Sequence, residues 1–143
     1  MTNNPLRAGF VATAAVSVTL IGSGIAAAYT VPTVEGGRGR ILVTAEPSAD
    51  LGFCDTYYWD TATSGWSAVS TPFGGTGQPD SYLFTTVPPG DTPVTVRCVD
   101  SGGVWTAHGN LVAVSEPNPF LDFIDNFLVT IGLGALASDP TLA

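Results

Sequence analysis

The chain has 143 residues, enough for one modest domain, and carries four arginines, no lysine and twelve acidic residues, a formal charge of −8. An acidic surface repels phosphate backbones, so a nucleic-acid partner is excluded. Charged residues make up only 11% of the chain while Gly and Pro number 17 and 11, the balance of a turn-rich β protein rather than a helical one.

In chain order, the first segment is MTNNPLRAGFVATAAVSVTLIGSGIAAAYTVP. One basic residue, Arg7, precedes an uncharged run from Ala8 to Ala28 that ends in three alanines. A short positive end, an apolar middle and small residues at the cut define a secretory signal peptide over residues 1–28, cleaved between Ala28 and Tyr29. The alternative is an uncleaved membrane-contacting anchor, because the run is long enough to span a bilayer. Thr13, Ser17, Thr19, Gly22, Ser23 and Gly24 dilute the run and favour cleavage. No cysteine lies near the cut for lipid attachment, and no twin-arginine pair precedes the run.

Residues 29–38 read as an extended lead-in, and residues 39–116 as a β domain. RILVTAE alternates, with Ile41, Val43 and Ala45 on one face, which predicts a strand. After the turn EPSADLG, FCDTYYWD places Cys54, Thr56 and Tyr58 opposite Phe53, Tyr57 and Trp59, aromatic crowding that predicts a sheet partly covered on both faces. TATSG breaks this run, and Trp66 to Ser70 can return beside it as a hairpin partner. TPFGGTGQPD is a long loop, and SYLFTTV is a further alternating strand. Pro88-Pro89-Gly90-Asp91 is a turn, in which Pro fixes φ and Gly accepts positive φ. It launches a strand with Val94, Val96 and Cys98 on one face. DSGG at Asp100 to Gly103 is a hairpin loop. Val104 to Ala107 and Asn110 to Ser115 read as two short strands around His108-Gly109. About seven short strands separated by turn chemistry predict an antiparallel β-sandwich.

Cys54 and Cys98 are the only cysteines, and in an exported small domain they are expected to form one disulfide between two strands. Closing so long a loop stabilises a fold by roughly 4 kcal/mol on the chain-entropy model. A metal site lacks support, since there is no C-x-x-C and His108 is the single histidine.

The stretch from Val87 to Val114, with its Pro-Gly turn, cysteine-bearing strand, Gly turn and final strand, resembles the end of immunoglobulin-like and prealbumin-like domains of exported bacterial proteins. Trp66, twelve residues after Cys54, is similar in spacing to the core tryptophan of immunoglobulin domains. Val96 stands where a tyrosine corner would place Tyr, so strand topology is not carried over. The resemblance implies a sandwich scaffold and no site residues.

Residues 117–138 are expected to form a C-terminal apolar helix, with Asn118 as N-cap, Pro119 at the first position, and Asp122 and Asp125 near the positive end of the dipole. Phe120, Ile124, Phe127 and Ile131 recur at helical spacing, and Leu121 and Leu128 widen this stripe, which must be covered by the sandwich or by something else. Phe123 and the uncharged run from Leu128 to Leu136 offer more apolar surface than one stripe. Gly132 and Gly134 weaken that end and permit close backbone approach to another helix. The segment is therefore read as a docking or self-association helix toward an envelope component or a second copy. With two aspartates and no Lys or Arg, it suits anionic lipid poorly, although membrane contact through either terminal segment stays open.

No catalytic set stands out: no G-x-S-x-G, no G-K-[ST], no EF-hand spacing. The aspartates at 50, 55, 60, 80, 91 and 100 suit capping of their own turns, with a loop calcium site as the alternative. Tyr57, Tyr58, Trp59, Trp66, Phe73, Tyr82 and Trp105 exceed what one face of a small core needs, so a few of them could line a recognition surface or an apolar pocket. The expectation is a secreted or cell-envelope binding module without enzymatic activity and without a cofactor. A carrier of a small apolar ligand is the alternative, and a secreted hydrolase comes third.

Overall fold

A computed structural model describes residues 29–142 apart from Thr76. The expected signal segment lies outside the described residues. Two antiparallel sheets carry seven strands among the described residues, followed by one α-helix. The first sheet has β1 (Thr33–Gly36), β2 (Arg40–Ala45) and β5 (Asp80–Thr85) in the order β1-β2-β5. The second has β3 (Leu51–Asp60), β4 (Gly65–Trp66), β6 (Gly90–Asp100) and β7 (Trp105–Val114) in the order β4-β3-β6-β7. Part of the expected lead-in is thus a strand, since Val34 and Glu35 of β1 lie opposite Val43 and Leu42.

Alternation decides what each strand buries. Ile41 and Val43 from one sheet meet Cys54, Val94, Val96 and Cys98 from the other in a single sandwiched core. Tyr58, Phe84 and Tyr82 fill it further with edge-to-face contacts, 5.0 Å from Tyr58 to Phe84 and 4.9 Å from Tyr82 to Phe84. Period two fails at Thr86, whose φ of 64° is left-handed. That reversal turns Val87 inward, where it is buried, rather than outward with Leu83 and Thr85. The Pro88-Pro89-Gly90 stretch then crosses from the first sheet to the second instead of folding back as a hairpin.

The disulfide between Cys54 and Cys98 is present, and it joins directly opposed residues of neighbouring strands in one sheet. The two strands expected around His108-Gly109 are one continuous strand, β7, paired with β6 along its length. Beyond β4, residues 67–73 run along the outer edge of β3. The hydroxyls of Ser67 and Ser70 accept from the Tyr58 and Thr56 amides, and Phe73 exchanges two backbone hydrogen bonds with Cys54.

At one corner the two sheets are stitched together: Gly39 N–H donates to Ser115 carbonyl and Ser115 N–H to Gly37 carbonyl. Gly36 is required there, because a Cβ would land on the Ala113 carbonyl oxygen.

The C-terminal helix α1 is Pro119–Thr130, shorter than expected. Asn118 caps it through Oδ1, which accepts from Leu121 N–H at 3.1 Å. Gly132, at φ 79°, ends it: its N–H reaches Val129 carbonyl while Leu133 N–H reaches Leu128 carbonyl. That paired closure is a Schellman motif, so Gly132 stops the helix rather than opening it to a neighbour. Two short 3-10 turns, Gly134–Leu136 and Pro140–Leu142, lead the chain back toward β1 and β2.

Candidate functional site

The helix packs on the body with its polar side. Asp125 is 2% exposed and is the only buried residue of α1, whereas Phe120 and Phe123 are each 71% exposed. Asp122 and Asp125, three residues apart, share one helix face. Phe120, Phe123, Phe127 and Ile131 lie on the opposite face and are all exposed. Ile124 is at the border of exposure, and Leu128 on the flank is half-buried. The structure thus brings the predicted docking residues onto one surface and leaves most of it uncovered. The alternative in which the sandwich covers this stripe does not hold.

Arg38 holds the helix in that orientation. Its side chain is buried, and Nε donates to Asp122 Oδ1 at 2.8 Å. Nη1 donates to Ser138 Oγ at 2.8 Å, and Nη2 pairs with Asp125 Oδ2. The Arg38 amide donates to Asp139 Oδ2 at 2.8 Å. Arg40 adds a second charge, with Nη1 3.7 Å from Asp139 Oδ2 and 3.9 Å from Asp122 Oδ1. Gly37 makes room, because a Cβ there would collide with the Asp139 and Thr141 side chains. The Ser138 amide, with Arg38 and the Ser138 hydroxyl beside it, holds the Asp125 carboxyl down at about 2. Burial alone would push the Asp139 carboxyl up, but the Thr141 hydroxyl, the Arg38 and Thr141 amides and the Arg38 charge outweigh it and leave it lowered. An open cleft of about 440 Å³ beside this cluster is lined by residues including Gly36, Gly37, Arg38, Glu116 and Asp139. Leu121 and Pro140 line it as well, so its wall mixes charged groups with apolar surface.

A second exposed surface lies on the outer side of the four-stranded sheet. Phe53, Tyr57 and Trp59 of β3, Trp66 of β4 and Trp105 of β7 face away from the core. Among the described residues, the covering on this side of β3 comes from these side chains and from Arg97, which lies over the Tyr57 and Trp105 rings. Trp66 stands edge-on to Tyr57 and Trp59 at 5.1 and 5.4 Å, and Trp105 edge-on to Phe53 at 5.4 Å. Between them, Arg97 donates from Nε and Nη2 to the two oxygens of Asp55 at 2.8 and 2.7 Å.

No protein-family model, no curated protein and no solved structure matches this chain. What the surfaces do therefore rests on their own chemistry.

His108 sits beside Tyr29, ring centroids 6.2 Å apart, with its pKa lowered by burial. The described residues contain no group of three or more His, Cys, Asp or Glu side chains placed to hold a metal ion. Asp60 and Asp100 cap their own turns, Asp60 accepting from Ala62 N–H and Asp100 from Gly102 and Val104 N–H, whereas Asp55 lies within β3 and pairs with Arg97 instead of capping a turn. No described helix is long and apolar enough to cross a membrane.

Sequence reasoning missed the Arg38 cluster. Its one available signal was economy of charge: Arg38 and Arg40 stand in EGGRGR, in a chain with only four cations, against Asp122 and Asp125 on a predicted helix face.

Proposed function

We propose that this protein is an exported, non-enzymatic binding module of the cell envelope that docks through the outward apolar face of its C-terminal helix. The observation that carries the reading is the helix's inverted orientation, with Asp125 buried and Phe120, Phe123 and Phe127 in solvent. Burying each such side chain is favourable by roughly 1.5–3 kcal/mol, so a contiguous row of them is a strong drive to associate. A second copy or another envelope component can supply the cover. Export is supported by the layout of residues 1–28 and by a disulfide, a bond that persists in oxidising compartments. The two-sheet arrangement supports an immunoglobulin-like or prealbumin-like scaffold, with the disulfide placed within one sheet rather than between two.

The test compares the mature protein with a Phe123→Asp/Phe127→Asp variant by sedimentation velocity and by envelope fractionation. The mature protein should sediment above monomer mass or co-fractionate with the envelope, while the variant is monomeric, soluble and equally heat-stable. Two soluble monomers, or a variant that unfolds at lower temperature, would overturn the reading.

A further inference from the structure

We propose that the outer face of the four-stranded sheet is a binding platform for an uncharged, extended polysaccharide. All three tryptophans of the chain, Trp59, Trp66 and Trp105, lie on this face. Trp66 and Trp105 are each 52% exposed. Trp66 and Trp105 mark opposite corners of the row, roughly 25 Å apart by strand rise and spacing. That length suits a chain of sugar rings better than a single small molecule.

The chemistry between the two ends narrows the ligand. Arg97 and Asp55 cancel one another's charge at the centre of the face. Among the described residues Arg97 makes hydrogen bonds only to Asp55, which is itself buried, so the remaining N–H groups of the half-exposed guanidinium are the ones open to a ligand. Hydroxyl oxygens can accept from Arg97, whose charge Asp55 already balances, while the C–H faces of the rings rest on the aromatic side chains. A cationic ligand is disfavoured: Arg97 itself occupies the cation-π position over Tyr57 at 5.4 Å and over Trp105 at 5.8 Å. An anionic polymer meets a protein of net charge −8. Charge thus selects a neutral, hydroxyl-rich partner.

Access and rigidity fit as well. Opposite Arg97 and Thr95, β7 carries Ala107 and Gly109, and the space above Gly109 is open. The sheet edge is therefore low beside the polar centre. On the reverse side, Cys54–Cys98 clamps β3 to β6 at the pair next to Asp55–Arg97, which fixes the spacing of the platform on paired strands.

This site is independent of the helix face, and the test keeps the two apart. The mature protein is run in native gels containing soluble mixed-linkage glucan, mannan or arabinogalactan, with polygalacturonate as the anionic probe. At least one neutral polymer should retard it, and Trp66→Ala/Trp105→Ala should weaken that binding by about ten-fold or more. Phe123→Asp should leave the binding unchanged. Because every tryptophan is on the face, wild-type protein supplies a second readout: the bound polymer should shift the emission and protect Trp66 and Trp105 from N-bromosuccinimide. Retardation by no neutral polymer, retardation only by polygalacturonate, or unaltered binding by the double variant overturns the proposal. So does an absence of protection in the wild type, or an emission shift caused only by phosphatidylcholine vesicles.

Discussion

The sandwich and the C-terminal helix solve opposite problems with the same kinds of residue. In the sandwich, Ile41, Val43, Val94 and Val96 point inward and become fully buried or nearly so. In the helix, Asp125 points inward and the phenylalanines point out. An ordinary amphipathic helix would have covered the body with its apolar stripe. Here the attachment is made by charge, through a buried guanidinium and the carboxylates around it. A buried ion pair is a weak source of net stability compared with apolar packing, because desolvation opposes the attraction. Its geometry is specific, however, and it leaves the apolar stripe free. The comparison teaches that exposure of this stripe is a consequence of how the helix is tied down.

The comparison can be sharpened by substitutions of matched chemistry. Ile41→Ala, inside the sandwich, should destabilise the protein by about 3–4 kcal/mol in denaturant titration. Phe123→Ser removes a larger side chain, yet should change stability by no more than about 0.5 kcal/mol when both proteins are monomeric. Equal losses would mean that the helix face is part of the core after all. Arg38→Met should cost roughly 3 kcal/mol, because it strands carboxylates that the guanidinium had paired. Its signature is local: amides of α1 and the following turns should lose protection in hydrogen exchange while those of β3 and β6 keep it. If all amides lose protection together, the helix is integral to the sandwich.

Acid should loosen the attachment more gently and reversibly. Asp125 is held at about 2 in the folded chain, below its ordinary value near 3.9. A depressed carboxyl contributes stability that is complete above the unfolded pKa and lost as pH falls through the folded one. Asp139 is shifted the same way. Helix exchange rates should therefore be flat above about pH 4 and rise between about pH 4 and 2. A rise that begins near neutrality would show that these carboxyls do not hold the helix.

Much of the fold was legible because its signals are local. Alternation in RILVTA and VTVRCV found β2 and β6 and their buried faces. Asn118-Pro119 found the helix start, and two cysteines left one pairing. What could not be read was which side of the helix meets the body. Periodicity assigns residues to faces but says nothing about where a face points, and that choice is made by Arg38, 84 and 87 positions away from its partners Asp122 and Asp125. The same limit hid the polar centre of the outer aromatic face. The excess of aromatics over core needs was visible, but the centring of Arg97 between Tyr57 and Trp105 depends on the register of β6 against both β3 and β7. His108-Gly109 misled in the other direction: Gly punctuates most strands, but here pairing with Thr95 and Val96 carries β7 straight through.

The serine-lined edge of β3 bears on how this chain behaves in a crowded compartment. An open strand edge is a template on which another molecule can add its own strand, and repeated addition grows fibres. Along β3 the amides of Tyr58 and Thr56 are already engaged by the hydroxyls of Ser67 and Ser70, and Cys54 is engaged by Phe73. No further strand can add there without first stripping this segment away. At this edge, contacts between copies are left to side chains rather than to backbone pairing, and strand-by-strand growth from β3 is blocked.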